Sequence, residues 1–453
     1  MNGVLCFNGQ TKPPIELSAH GSLVKSDRFL EYIFTASLQF LYTYVRRVNL
    51  MKREKESLEC LYCQKKFLLD IFYPFCPECQ EPLLCPTPQK KRTISLEKSS
   101  PLEKFLDFLP LSQVDPSLSL GEGNTPLVKL GRLTKKFNLP PVFVKNEAAN
   151  PTHSFKDRGT AVAVQKATAM GIRKIGTVST GNMASSTAAY GARAGLTTLV
   201  LLKEDTPMDK LLTSGIHNPV LIKVKGDYGE LFTQSFSLGN KHKIYFMNSV
   251  DPFRIEGYKI TGFEIFHQLK RLVPRYLLVP VSAGGHLTGL IRAFVDLKQE
   301  GLIQDFPTIV GVQARGCSPI VQAYASGNPR VKRIKKAETI AHAISNPDPP
   351  GGNIALKLIR DHNGMLTDVS DEEIIESQRM LAEIEGIFCQ PASATVLAGL
   401  IKLSREIKLE KKNPIVLVIT GSGLKAMESV EPSKMNVYNS PLSNLDRVID
   451  SLL

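Results

Sequence analysis

The stretch Asn150-Pro151-Thr152-His153-Ser154-Phe155-Lys156-Asp157-Arg158-Gly159 places one lysine next to an aromatic residue where a helix is expected to begin. A held, partly desolvated lysine can form a Schiff base with an aldehyde cofactor such as pyridoxal phosphate. Lys156 is therefore a candidate catalytic residue. The same stretch also suits an exposed helix start, with Ser154 as the cap and Asp157 in the first turn. The decapeptide alone favours neither interpretation.

Three further loops each follow an apolar, strand-like run and precede a predicted helix. They are residues 179–186, 282–286 and 420–425. Free backbone N–H groups and the helix dipole at such positions favour an anion or a polar ligand. Asn182 can donate to a ring oxygen, and Thr420 can offer its hydroxyl to a pyridine nitrogen. The second loop, a candidate cradle for a phosphate ester, comprises Ser282, Ala283, Gly284, Gly285 and His286. Each loop alone is equally explained as a tight turn.

From Leu102 onward, apolar runs alternate with helical stretches. The runs are residues 141–144, 174–178, 197–202, 220–224, 276–281, 308–312 and 415–419. Such alternation is typical of parallel sheets with helices on both faces, so the sequence predicts an α/β fold.

A paired-cysteine module precedes this body. Cys60 and Cys63 form one pair, and Cys76 and Cys79 form a second pair twelve residues later. The spacing predicts a zinc ribbon, because one tetrahedral zinc can join two such turns where a short segment has no core of its own. Two disulfides or free thiols are the alternative, which the absence of secretion signals disfavours. Four cysteines leave no open position for substrate, so we expect a structural zinc. Cys85 lies outside the paired spacing.

Length and charge limit the function classes. The chain has 453 residues, 43% of them hydrophobic, which suits two or three globular domains. A net charge of +13 could favour nucleic acid or phosphorylated small molecules. The basic runs, Lys90-Lys91-Arg92 and residues 330–336, contain no aromatic residues. We therefore interpret them as solvated faces and expect no nucleic-acid site.

The first fifty residues differ from the rest. The apolar run from Phe29 to Val45 is short for a membrane span, and its flanking charges do not follow the order of a signal peptide. We expect a cytoplasmic protein without a membrane segment. We interpret residues 1–50 as a mis-assigned extension before a start at Met51; an amphipathic helix packing on a partner is the alternative. Residues 86–115 are expected to be a linker, and residues 436–453 a tail.

Together, the decapeptide and the three loops resemble the threonine synthases, within the tryptophan-synthase-β-like group of pyridoxal-phosphate enzymes. The likeness runs from about Glu122 to Lys425, and residues 122–127, Glu-Gly-Asn-Thr-Pro-Leu, are similar to the entry motif of the group. The cysteine module is similar to the zinc ribbon that precedes some members. The resemblance implies two doubly wound α/β domains with the cofactor in the cleft between them. The larger domain would span residues 116–149 and 243–435, the smaller one residues 150–242, and the ribbon residues 51–85.

The resemblance also implies roles for individual residues. Lys156 matches the Schiff-base lysine, with Phe155 as a neighbour of the cofactor. Asn182 matches the partner of the ring hydroxyl, residues 282–286 the phosphate loop, and Thr420 the partner of the pyridine nitrogen. The segment from Asn248 to Arg254 is similar to one that binds the phosphate of the substrate. The candidate substrate residues are Ser179, Thr180, Lys210, Asn248, Ser249 and Arg254. For Arg254, the alternative is an ordinary ion pair with Glu256.

The implied reaction converts O-phospho-L-homoserine and water to L-threonine and phosphate, and the family implies a homodimer. Several residues depart from the usual pattern: His153, Met183, the loop 282–286, Ser422 and Ala426. A related serine or threonine dehydratase, or a β-eliminating lyase, therefore remains an alternative. A second alternative is a catalytically inactive zinc-ribbon binding or regulatory protein.

Overall fold

The computed structural model describes residues 56–88, 90–410, 413–430 and 436–452. The predictions made for residues 1–50 and for a start at Met51 lie outside these ranges. None of the helices within the ranges is both long enough and apolar enough to cross a membrane.

The strands of the described residues belong to three sheets. They are β1 (Ser57–Glu59), β2 (Lys66–Leu68), β3 (Leu127–Lys129), β4 (Val142–Asn146), β5 (Lys174–Val178), β6 (Thr197–Lys203), β7 (Val220–Val224), β8 (Tyr245–Phe246), β9 (Tyr276–Pro280), β10 (Thr308–Ala314), β11 (Met365–Val369) and β12 (Ile415–Ile419). The seven apolar runs predicted from the sequence each coincide with one strand to within two residues.

The helices of the described residues mostly follow these strands. They are α1 (Pro101–Lys104), α2 (Gly131–Lys136), α3 (Lys156–Ala169), α4 (Asn182–Arg193), α5 (Met208–Gly215), α6 (Tyr228–His242), α7 (Pro252–Gln268), α8 (Gly285–Gln299), α9 (Pro319–Ala325), α10 (Gly352–Asp361), α11 (Asp371–Glu385), α12 (Pro391–Glu406) and α13 (Leu445–Leu452).

The largest sheet has the order β11-β10-β9-β12-β4-β3 and is parallel except for β3. Every residue of β9 and β12 is buried. Central parallel strands covered by helices on both faces are expected to be continuously apolar, and these two strands have that character. A second sheet, β7-β6-β5-β8, is wholly parallel. The predicted α/β fold is confirmed.

The cysteine module forms the small antiparallel sheet of β1 and β2. Ion pairs join the segment after this module to the α/β body, so this segment is not wholly exposed to solvent. Arg92, whose side chain is 1% exposed, pairs with Asp296 at 2.7 Å and with Glu300 at 2.7 Å. The prediction of a solvated basic face is therefore wrong for Arg92, because two carboxylates of the α8 region compensate for its burial.

Candidate functional site

A cavity of about 960 Å³ lies at the carboxyl ends of strands from both large sheets. Ser179 follows β5, Val281 follows β9 and Thr420 follows β12, and all three residues line it. Open parallel sheets bind ligands at this edge, because the strand ends and the helix N-termini after them point to the same side.

Lys156 opens helix α3 and faces this cavity. Its Nζ atom lies 4.3 Å from the centre of the Phe155 ring and 5.9 Å from that of Tyr258. Burial, and then the positive charge of Arg254, lower the pKa of Lys156 to about 7. The alternative of an exposed, Ser154-capped helix start is wrong, because Phe155 occupies the N-cap position and no side chain caps the helix.

Two residues further along α3, a buried ion network anchors the helix. Arg158 donates to Glu147 at 2.5 and 2.8 Å and to Glu264 at 2.8 Å, and Lys145 donates to Glu264 at 2.6 Å. All four side chains are at most 5% exposed. Two cations and two carboxylates balance one another here, so the network fixes the position of α3 at the edge of the cavity.

Backbone hydrogen bonds join the Lys156 segment to the loop after β12. The amide of Phe155 donates to the Thr420 carbonyl at 3.1 Å, and the amide of Ser422 donates to the His153 carbonyl at 3.1 Å. His153 has φ of 60°, a left-handed conformation that glycine adopts without steric cost. A glycine at this position would therefore fit the backbone that His153 adopts.

The loop 282–286 makes a cradle at the start of α8. Gly284 has φ of 94° and serves as the N-cap without a side-chain hydrogen bond, so the first amides of the helix stay available. A Cβ atom on Gly284 would lie 2.5 Å from the Gly351 carbonyl oxygen, and one on Gly285 would lie 2.6 Å from that of Ser249. Both positions therefore require glycine.

His286 completes this wall of the cavity. Its ring stacks on Phe155 with the ring centres 4.0 Å apart. The side chain is buried, yet neither ring nitrogen has a hydrogen-bond partner within the described part of the chain. Burial, and then the charge of Lys156, hold the pKa of His286 well below its usual range. Unpartnered buried nitrogens at this loop are the expected sign of a polar group that binds here.

Asn182 and Thr420 also line the cavity. The Nδ2 atom of Asn182 donates to the Oε1 atom of Gln390 at 2.9 Å. The hydroxyls of Thr420 and Ser393 are 2.9 Å apart, and the Ser393 oxygen also accepts from the Thr420 amide at 3.1 Å. Ser393 therefore orients the Thr420 hydroxyl.

Four of the six candidate substrate residues also line the cavity: Ser179, Thr180, Lys210 and Ser249. Ser179 and Thr180 immediately precede Gly181, the N-cap of α4, and glycine has no side chain to occupy the first amides of the helix. The Nζ atom of Lys210 lies 3.8 Å from a carboxylate oxygen of Glu428. Helix amides and lysine at one end of the cavity favour an anionic ligand.

The structure does not place Asn248 and Arg254 on the cavity wall. Asn248 accepts from the Val178 amide at 2.9 Å and donates to the Ser235 hydroxyl at 3.0 Å, so it fixes the end of β5. Arg254 is fully buried and donates to the Thr187 hydroxyl at 2.7 Å. The alternative of an Arg254–Glu256 ion pair is not observed, because Glu256 pairs with Lys259 and Arg292 instead.

Several residues that line the cavity were not predicted from the sequence as site residues. Lys425 donates to the Thr152 carbonyl at 3.0 Å, and burial lowers its pKa to about 8. Its place at the end of the loop 420–425 was the available signal. Gln390 precedes α12, where a polar residue before proline looks like an ordinary helix start. Met183 and Ala426, both departures from the family pattern, also line the cavity.

The four cysteines form a separate cluster. The sulfur atoms of Cys60, Cys63, Cys76 and Cys79 all lie within 4.8 Å of one another, and those of Cys63 and Cys76 are 3.7 Å apart. Zinc–sulfur bonds of about 2.3 Å in a tetrahedron separate the sulfurs by roughly 3.8 Å. None of the four forms a disulfide. The donors and their spacing therefore fit a tetrahedral metal.

Comparison with known proteins agrees with this arrangement. A family described as "Pyridoxal-phosphate dependent enzyme" matches residues 118–421. Threonine synthase from Methanocaldococcus jannaschii is 37% identical over 402 residues, which cover 85% of this chain and 99% of the relative. Threonine synthase from Methanosarcina acetivorans is 35% identical over 403 residues, covering 87% of this chain and 98% of the relative.

Solved structures support the same fold. The processed form of threonine deaminase isoform 2 from Solanum lycopersicum has a TM-score of 0.58 at 18% identity, covering 72% of this chain and 83% of the other. At this identity the likeness concerns the fold alone. The family match includes Lys156, Asn182 and the cradle of residues 282–286. The chain therefore belongs to the family of pyridoxal-phosphate-dependent enzymes and, within it, to the threonine synthase family.

Proposed function

We propose that this protein is a threonine synthase, which converts O-phospho-L-homoserine and water to L-threonine and phosphate. The proposal rests on a partly buried lysine in a cavity that also contains two uncapped helix N-termini. The chain aligns with 99% of the length of a threonine synthase. One helix N-terminus suits the cofactor phosphate and the other suits the substrate phosphate.

The residues of the cavity fit pyridoxal phosphate. Lys156 would hold the aldehyde carbon, the cradle of residues 282–286 the phosphate, Asn182 the ring hydroxyl and Thr420 the ring nitrogen. The unpartnered nitrogens of His286 support a polar group at the cradle. When bound, the cofactor supplies a conjugated ring that stores the electrons released at the α carbon of the substrate.

Lys156 is suited to move protons at the α and β carbons. Because burial and Arg254 lower its pKa to about 7, a large fraction of the amine is neutral near neutral pH and can accept a proton. After accepting a proton, the same group can return it to the carbon skeleton. The anchoring of α3 through Arg158 keeps the amine at a fixed place during both transfers.

The substrate phosphate would bind at the start of α4. Ser179 and Thr180 can offer neutral donors there, and Ser249 and Lys210 line the same cavity, where Lys210 adds positive charge. Arg254 lies behind this wall with its Nε and Nη1 atoms unpartnered in the described structure. A buried guanidinium at this position supports a role in holding the anion through its positive charge. Stabilising the departing phosphate should increase the rate as well as the affinity.

We also propose that Cys60, Cys63, Cys76 and Cys79 bind a structural zinc, since all four positions are thiols and none is left for a substrate. The resemblance to the same family is also the basis on which we propose a homodimer and a division of the chain into two α/β domains.

A substrate comparison tests the proposed function. Phosphate and threonine formed from O-phospho-L-homoserine are measured beside keto acid formed from serine or threonine. We expect threonine and phosphate in equal amounts and little keto acid. Predominant keto acid would instead identify a dehydratase, and a protein that stays colourless with added pyridoxal phosphate would point to a non-enzymatic role.

Arg254→Ala sharpens this comparison. Loss of the buried charge should reduce turnover of the phosphorylated substrate by roughly 10²-fold or more, while any keto-acid activity with serine changes less. Arg193→Ala, at the exposed end of α4, is the matched control. An equal loss with both substrates would argue against a phosphate-specific role of Arg254.

A further inference from the structure

The cysteine module contacts helix α6 through aromatic side chains. The ribbon loop, residues 72–80, carries the second cysteine pair. Its Phe75 ring meets Phe236 of α6 edge-on at 5.1 Å, and Tyr73 meets the same ring at 6.4 Å. The Nζ atom of Lys243, at the end of α6, lies 5.2 Å from the Phe72 ring. Phe236 is 3% exposed, so the ribbon loop forms part of the cover over α6.

On its other side, the module is fixed to the elements around the six-stranded sheet. The Tyr62 hydroxyl donates to the Asn353 carbonyl at 3.0 Å, and the Asn353 amide donates to Glu81 at 2.8 Å. Arg292 of α8 donates to the Cys85 carbonyl at 2.6 Å. The module therefore bridges α8 and α10 on one side and α6 on the other.

The ribbon loop also reaches the cavity that contains Lys156. Tyr73, Phe75 and Gln80 belong to its lining, together with Phe232 and Phe236 of α6. A module that only bound partners in solvent would not need to lie on this wall. Its aromatic contacts place it where it can set how far the cavity opens.

Helix α6 is connected in turn to the substrate end of the cavity. The Tyr228 hydroxyl at its start donates to the Val178 carbonyl at 2.9 Å. The Ser235 hydroxyl accepts from Asn248, whose side-chain oxygen accepts from the Val178 amide. Val178 immediately precedes Ser179. A displacement of α6 would therefore move the loop that we propose binds the substrate phosphate.

We propose that Tyr73 and Phe75 are positioning residues for substrate binding: they hold α6, and through it Ser179, while metal bound by the four cysteines keeps the ribbon loop folded. The inference rests on the proposed function for the identity of the substrate. It gives the cysteine module a role inside the enzyme in place of an external docking role.

The first test separates binding from turnover in Phe75→Ala. We expect the KM for O-phospho-L-homoserine to rise about fivefold or more, with kcat within twofold and the zinc content unchanged. Phe75→Tyr, which keeps the ring, should restore KM to within twofold of the parent. Leu68→Ala is the matched control, because Leu68 lies on β2 of the same module and is 62% exposed.

The second test does not depend on the substrate. The rate at which sodium cyanoborohydride bleaches the visible band of the cofactor-loaded protein reports access to the cavity. It should rise about fivefold in Phe75→Ala and in the metal-depleted Cys76→Ser variant, and stay unchanged in Leu68→Ala. Bleaching rates and KM values of Phe75→Ala within 1.5-fold or so of the parent would overturn the inference. A parent that bleaches normally but makes no threonine would instead refute the proposed function.

Discussion

Lys156 and Arg158 lie two residues apart on the first turn of the same helix, yet their surroundings are opposite. Arg158 donates to two carboxylates and one hydroxyl, and all of its donors point into a balanced network. Lys156 has aromatic rings beside it and the positive charge of Arg254 nearby. On this first turn, Arg158 therefore has a structural role, and we propose that Lys156 serves the chemistry.

The difference appears in the proton affinities. Burial alone would favour the neutral form of either group. For Arg158, the charges of Glu147 and Glu264 outweigh burial and raise its pKa, whereas Arg254 adds to the effect of burial on Lys156 and the pKa falls to about 7. A buried cation with matched acids stays charged and inert, and one without them becomes a base near neutral pH.

The largest effect is expected from Lys156→Ala. Removing the amine should lower threonine formation by at least about 10³-fold and abolish the visible band of the bound cofactor, because the variant lacks both the amine proposed to hold the aldehyde and the group proposed to move the protons. The measurement is phosphate release together with the absorption spectrum. Lys135→Ala, on the exposed surface of α2, serves as the control and should keep both. Residual activity above a few per cent would contradict the role.

Arg158→Met should affect stability first. Removing Arg158 leaves the two buried carboxylates of the network, Glu147 and Glu264, with Lys145 as its one remaining cation, and the excess buried charge costs about 3–5 kcal/mol of unfolding free energy. Urea denaturation of the cofactor-loaded protein measures this loss. Arg193→Met, at an exposed site, should change it by less than about 0.5 kcal/mol. A loss below about 1 kcal/mol for Arg158→Met would show that the network is not structural.

Lys156→Met should raise the stability of the cofactor-free protein, whereas Arg158→Met should lower the stability. The folded chain binds the Lys156 proton with a pKa of about 7 and the unfolded chain with one near 10.5, so the unfolded state holds more protons between these values. The resulting reduction in unfolding free energy has its full size below pH 7, and it disappears as the pH rises to 10.5. Lys156→Met should therefore be more stable than the parent by about 1–3 kcal/mol at pH 7, and the advantage should shrink by pH 10. An advantage independent of pH would mean that Lys156 is not desolvated.

The smallest effect is expected at His153, which precedes α3 by three residues. His153→Gly suits the left-handed backbone at φ of 60°, but it also increases the freedom of the unfolded chain. The two effects oppose each other, so thermal unfolding should change by less than about 1 kcal/mol and KM should stay within twofold. His153→Val, which is strained in this conformation, should lose about 1–2 kcal/mol. Equal stability of the two variants would contradict the assigned backbone.

Much of this arrangement could be predicted from the sequence because it is local. The seven predicted strands are apolar runs bounded by turn residues, and the loops after three of them carry Asn182, the cradle 282–286 and Thr420. The edge strands β3 and β11 were missed because they are short or partly exposed, as was the two-residue β8. Their apolar signal is correspondingly weak.

Long-range pairing could not be predicted from the sequence. In the sequence, Arg92 looks like any other basic residue of a linker. The fold brings it next to Asp296, which lies about two hundred residues later in the chain. Likewise, nothing local shows that Arg158 is paired and Lys156 is not, or that Phe75 meets Phe236. Arg254 was expected on the cavity wall, and the fold places it behind the wall. Such contacts depend on the packing of distant elements, which periodicity does not encode.

Mapping the covalent position of the cofactor decides whether Lys156 is its attachment site, because the cavity contains two lysines with lowered pKa values, Lys156 and Lys425. The cofactor-loaded protein is reduced with sodium borohydride, digested, and mapped by mass spectrometry. We expect a pyridoxyl-phosphate adduct on the peptide that contains Lys156 and on no other. An adduct on Lys425, or an unmodified Lys156 in a protein with the visible band, would contradict it.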